Sequence, residues 1–138
     1  MAHTLWTPPQ EYLQHGWWDA DGRLRPHLNG QYSLGMAYRL RDEGTGPDVV
    51  QGILTRRIHA IVEQYGPPHV RLNDPISPDA LHALMTIPEV QHSPALRDLF
   101  EAARAHLHTW RDVRALVQHL ERIMSQLAWL TFWPTETA

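Results

Sequence analysis

The apolar residues of this chain recur at helical spacing and are interrupted by proline and glycine. That pattern limits the possible fold more than any other feature. Between Pro47 and Gly66 the series Val50, Ile53, Leu54, Ile58, Ile61, Val62 and Tyr65 lays one apolar stripe along a helix. Gly66-Pro67 stops it. Upstream, Leu34, Met36, Ala37, Tyr38 and Leu40 predict a helix over 28–41, weakened by Gly30 and Gly35. The loop Glu43-Gly44-Thr45-Gly46 separates the two. Downstream, Ser77-Pro78-Asp79 is a helix start whose buried side is Leu81, Leu84, Met85 and Ile87, and Pro88 ends it. Ser93-Pro94 opens another, with Leu96, Leu99, Phe100, Ala103 and Leu107 facing the core. Thr109 is placed as the N-cap of a last helix running to Trp133, with Asp112 three residues on and Pro134 as the stop. Its stripe is Val113, Leu116, Val117, Leu120, Ile123, Met124 and Leu127. No segment alternates with period two, so no sheet is expected. The predicted fold is all-α, a compact single-domain bundle of about five to six helices. In it, residues 1–26 form an N-terminal lid and turn, and residues 134–138 form a tail.

Composition supports one packed domain. The chain has 138 residues, 43% of them hydrophobic and 20% charged, enough apolar surface for a core. Cysteine is absent, which excludes disulfides, thiolate metal sites and cysteine catalysis. No leader-like segment and no long apolar span is visible, so a soluble, cytoplasmic protein with no membrane contact is expected. The net charge is −3, which argues against indiscriminate nucleic-acid binding and leaves room for a local basic face.

Catalytic signatures are missing. There is no glycine-rich phosphate loop, no His-Glu-x-x-His and no Gly-x-Ser-x-Gly. Ten histidines invite a metal, but the nearest set, His106, His108 and His119, does not share a helix face, and no four-ligand spacing exists. The expectation is no metal, no cofactor and no enzymatic activity. Asp98, Glu101 and Asp112 are read as polar-face acids forming ordinary ion pairs with arginines three or four residues away.

The cations are more informative. All twelve are arginine, so each is a planar fork suited to phosphate or carboxylate. Arg56 stands on the polar side of its helix with His59 and Glu63, and Arg57 lies near the edge of the apolar stripe. Arg97 and Arg104 are seven residues apart and share a face, while Arg111, Arg114 and Arg122 follow a stripe with Gln118. This set is either a solvated face laced with acids or a phosphate-tracking ridge. The run Leu127 to Trp133 is apolar all round. It is either a helix end enclosed by Trp6, Trp17 and Trp18 or a patch that docks on a neighbouring subunit.

The N-terminal block carries a family likeness. Gly16-Trp17-Trp18-Asp19, followed by Gly22-Arg23-Leu24-Arg25-Pro26-His27-Leu28, resembles the opening of the small subunit of type III-A CRISPR effector (Csm) complexes. That opening reads glycine, two aromatics, then Asp-x-x-Gly-x-Leu-Arg-Pro-x-Leu. Arg56-Arg57 matches a second signature of the family, with Ile58 in place of the aromatic and Thr55 in place of the usual leucine. Glu121 through Trp133 is loosely similar to the family's last helix. Residues 67–94 do not align, and the family's usual lysines are absent.

The resemblance implies a non-catalytic subunit of an antiviral defence complex. Such a helical bundle packs against copies of itself and other subunits, and lines the groove holding guide RNA paired with target RNA. It contacts the backbone while base pairing reads the sequence. Arg56 and Arg57 are then the first RNA contacts, Arg25 either contacts RNA or braces the lid, and Arg97, Arg104, Arg111 and Arg114 extend the ridge. Trp129, Phe132 and Trp133 form the partner interface. The alternative is a small helical regulatory or protein-interaction protein, phage- or defence-related, that binds no RNA.

Overall fold

The computed structural model describes residue 18, residues 23–25 and residues 30–132. The fold is all-α: among the described residues there are six helices and no strand. They are α1 (Gly30–Asp42), α2 (Thr55–Tyr65), entered through a π-helical segment (Val49–Leu54), α3 (Pro78–Met85), α4 (Pro88–Gln91), α5 (Pro94–Arg104) and α6 (Trp110–Phe132). The expectations placed on Trp6, Trp17, the turn at 19–22, Pro26, Trp133 and the tail lie outside the described residues.

α6 is the axis, and α1 packs along it more extensively than any other pair of elements. Val113, Leu116, Leu120, Ile123, Leu127 and Leu130 of α6 are buried together with Met36, Ala37 and Leu40 of α1. Phe100 and Leu99 of α5, and Val50, Leu54 and Ile58 of the π-segment and α2, complete this core. Each boundary has a local cause. Gly44 takes φ +82, and the Thr45 amide reaches back to the Leu40 carbonyl at 2.9 Å, closing α1 with a left-handed glycine. Ser77 Oγ accepts from the Ala80 amide at 3.2 Å and Ser93 Oγ from the Leu96 amide at 3.1 Å, so both predicted serine caps are made. Glu43, just past α1, accepts from Ser93 Oγ and from the Ala95 amide, tying the end of α1 to the start of α5. A carboxylate there also favours the positive end of that helix.

Pro88, expected to end a helix, instead opens α4, because α3 already stops at Met85 and proline suits a first helical position; two further local features depart from the sequence reading. The helix expected from Pro47 opens as a π-segment. Gly52 weakens the tighter α-turn there, and Thr55 Oγ1 donates to the Val50 carbonyl five residues back at 3.3 Å. The wider turn keeps Val50 and Leu54 inside but rotates Ile53 outward, leaving it 40% exposed. The second departure is Asp112. It is a buried residue, not a polar-face ion-pair partner: its Oδ2 accepts from the His108 and Thr109 amides, both at 2.9 Å. The acid expected merely to follow the cap of α6 itself satisfies the exposed N–H groups at the helix start.

Residues 66–77 do not swing free. The loop is hydrogen-bonded along the start of α6 through Ile76 N to His108 O (3.0 Å), Trp110 N to Asp74 O (3.3 Å) and Arg111 N to Leu72 O (2.9 Å). This pinning sets the geometry of the cationic site below.

Candidate anion-binding surface

The acids sort the arginines into cancelled and uncancelled charges. Arg57 binds Glu89 through two bonds, Nε–Oε1 at 2.9 Å and Nη2–Oε2 at 3.3 Å. Glu89 comes from α4, thirty-two positions away. The hydrogen bond from Arg57, joined by its charge, holds the Glu89 carboxyl below the usual glutamate range, and the same pairing raises Arg57. Arg39 Nη2 likewise sits 2.8 Å from Asp98 Oδ2 across the α1–α5 boundary. Asp98 was expected to pair within its own helix; its partner lies fifty-nine positions away. By contrast, Arg56, Arg97, Arg104 and Arg114 are exposed and have no acidic partner among the described residues.

Four guanidinium-bearing residues meet in one place. A cleft of about 420 Å³ is lined by Arg23, Leu24, Arg25, Arg111, Asp112, Arg114, Ala115 and Gln118. One wall is the segment 23–25. Leu24 is buried in the core and forms an isolated bridge with Trp18. In an extended segment alternate side chains point the same way, so sinking Leu24 inward turns both Arg23 and Arg25 outward, and both are exposed. Two further ties hold this wall. Trp18 stacks on His106 with ring centroids 4.2 Å apart. The Nε2 of buried His119 lies 3.3 Å from the Arg25 carbonyl oxygen, which can only accept, so Nε2 carries the proton.

The other wall is the first two turns of α6. Arg111 Nε donates to Asn73 Oδ1 at 2.9 Å. That partner orients the guanidinium without neutralising it, because an amide oxygen carries no net charge. Asp112, the one acid lining the cleft, is already engaged by two backbone amides.

The sequence-derived candidates therefore fall into three groups. Arg25, Arg111 and Arg114 converge in the cleft, where Arg23 joins them. Arg97 and Arg104 lie on exposed positions of α5. Arg56 and Arg57 line a shallow depression with Ile53 and Ala60, with Arg57 committed to Glu89. Sequence reasoning did not single out Arg23 as a contact, although the Arg-Leu-Arg alternation around one apolar residue was the available signal. Of the expected interface residues, Trp129 is 60% and Phe132 73% exposed, while Leu127 and Leu130 of the same turns are buried. The helix end is thus half enclosed and half surface. Among the described residues no group of three or more histidines, aspartates or glutamates is placed to hold a metal ion, and no helix is long and apolar enough to cross a membrane.

Together these features describe an all-α protein that exposes, on α2, α5 and α6, arginines with no acidic partner among the described residues. Comparison with protein-family models, with curated proteins and with solved structures finds no match to this chain.

Proposed function

We propose that this chain is a non-catalytic, cytoplasmic small subunit of a type III-A CRISPR RNA-guided effector complex, acting in antiviral defence and holding the guide–target RNA duplex by its backbone. The observation that carries this reading is the set of exposed guanidiniums left uncancelled in a chain of net charge −3. Glu89, Asp98 and Glu43 are each committed to a partner distant in sequence, and Asp112 to the backbone amides of the turn before it. What remains on the helix surfaces is a small number of phosphate-ready forks, which suits sequence-independent backbone contact. The likeness of residues 16–28 and of Arg56-Arg57 to the family's signatures supports the same reading. Weak binding by one copy is compensated when several copies stack along one duplex.

The exposed Trp129 and Phe132 favour a second reading, a protein-interaction module that binds no RNA. The two readings separate in a salt series on a guide–target duplex. Under the RNA reading, Arg56→Ala, Arg97→Ala and Arg104→Ala each weaken binding equally across sequences and flatten the salt slope by about one unit. Arg57→Ala flattens it less, because Glu89 already cancels that charge. An unchanged slope in all four variants, or no binding by the wild type, supports the protein-interaction reading.

A further inference from the structure

A pocket of different chemistry from the arginine cleft lies between α2, the loop over residues 66–77 and α6. Its volume is about 270 Å³, and its lining is apolar except at the mouth. We propose that it binds a small apolar monocarboxylate, one ring system carrying a single acid group. This goes beyond duplex binding and does not depend on it.

Three observations specify the ligand. First, the body of the pocket is hydrocarbon and aromatic. Trp110 and Val113 are buried at its base, and Val62, Leu72 and Val117, each half-buried, form its sides. A nucleobase would bring its polar edges into this apolar enclosure, whereas an apolar ring loses little on leaving water. The volume lies below the usual range of about 300–1,000 Å³ for drug-sized ligands, which suits one ring system rather than a peptide segment. Second, the charge sits at one place. Arg114 of α6 and His59 of α2 both line the pocket at exposed positions. Arg114 has no acidic partner among the described residues, and none of the described residues lining the pocket is an acid. A guanidinium fork matches one carboxylate, and an imidazole offers an N–H donor in either tautomer. One fixed cation above an apolar body complements an apolar monoanion. Third, the pocket is formed before a ligand arrives. The Trp110 ring packs directly on Gly66, where an added Cβ would stand 2.9 Å from two ring carbons. The carbonyl of Leu72 accepts from the Arg111 amide at 2.9 Å, which holds that side in place. Val113 and Val117 stand one turn apart on the same helix. Fixed walls lower the ordering cost of binding.

The site is tested by calorimetry on the full chain at about physiological ionic strength, with 2-naphthylacetate, its neutral amide 2-naphthylacetamide, acetate and orthophosphate as probes. The naphthyl acid should bind with one-to-one stoichiometry. The amide, which has the same body without the charge, should bind about tenfold more weakly. Acetate, which has the charge without the body, should bind at least about tenfold more weakly as well. Arg114→Gln should lower affinity for the acid about tenfold and leave the amide unchanged, so that the preference between them disappears. Val62→Ala, which trims one side without touching the charge, should weaken both about threefold. Arg97→Gln should change neither. No saturable binding of the acid, equal affinity for acid and amide in the wild type, or binding that ignores both Arg114 and Val62 overturns the proposal. Displacement of the acid by an equal concentration of orthophosphate also overturns it, because a bare anion site needs no apolar body.

Discussion

The guanidinium of Arg57 clasps the Glu89 carboxylate through two nitrogens, bridging α2 and α4. Because the folded state holds Glu89 below its ordinary range, the unfolded chain takes up that proton more readily. The stabilisation is therefore complete above the unfolded-state pKa of a glutamate and is lost as pH falls through the lower folded-state value. Thermal melts of wild type and Glu89→Gln should differ slightly near neutral pH, because Arg57 is exposed and solvent screens the pair even though Glu89 is partly covered. The difference should close as the solution is acidified through the glutamate range. A gap that is independent of pH would show that something other than this charge pair separates the two proteins.

Asp112 secures the start of the longest helix. Asp112→Ala strips the acceptor from the amides of His108 and Thr109 and should cost about 1–2 kcal/mol in urea unfolding. Asp112→Asn keeps an acceptor oxygen and should recover part of that loss. Equal losses in both variants would assign the effect to charge rather than to the hydrogen bonds.

Gly66 ends α2 against the face of Trp110. A Cβ placed there would stand 2.9 Å from two ring carbons of Trp110 and 3.0 Å from the Val62 carbonyl. The backbone at Gly66 has φ −103, so close approach, not backbone conformation, requires the glycine. Gly66→Ala should destabilise by about 1–3 kcal/mol, the usual range for overpacking. Trp110 fluorescence should shift with it; an unchanged spectrum and midpoint would mean that the ring moves aside freely.

Trp129 and Phe132 project from the end of α6 while Leu130 between them is buried. Trp129→Ala combined with Phe132→Ala should change folding stability by no more than about 0.5 kcal/mol per site. If this end docks neighbouring subunits, the same pair of changes should abolish concentration-dependent association in sedimentation velocity. A large loss of stability would instead place these rings in intramolecular packing.

The starts of α3 and α5 and the apolar stripes were legible in the residues themselves because their causes are local, whereas Pro88, read as a stop, starts α4. A serine one residue before a proline caps its own helix at Ser77 and Ser93, and apolar spacing of three and four defines a face wherever it occurs. The π-segment was less legible, since its signals, one glycine and one threonine hydroxyl, compete with an otherwise regular α-helical pattern. The roles of the charged residues were the least legible. Neighbours in sequence made Asp98 and Asp112 look like partners of nearby arginines. Packing of α1 on α5 gave Asp98 to Arg39, and the turn before α6 took Asp112 into its own backbone.

The amino-acid order alone determined an all-α chain, its punctuation, its apolar faces and a supply of cations that are all arginine. Those properties follow from interactions within a few residues, or from composition. Which guanidiniums remain uncancelled, and that four arginines share one cleft, was decided only when the helices packed. Coulomb attraction and hydrogen bonding act over a few ångströms, and the chain brings residues such as Asn73 and Arg111, or Arg25 and Arg114, to that distance only in the folded state.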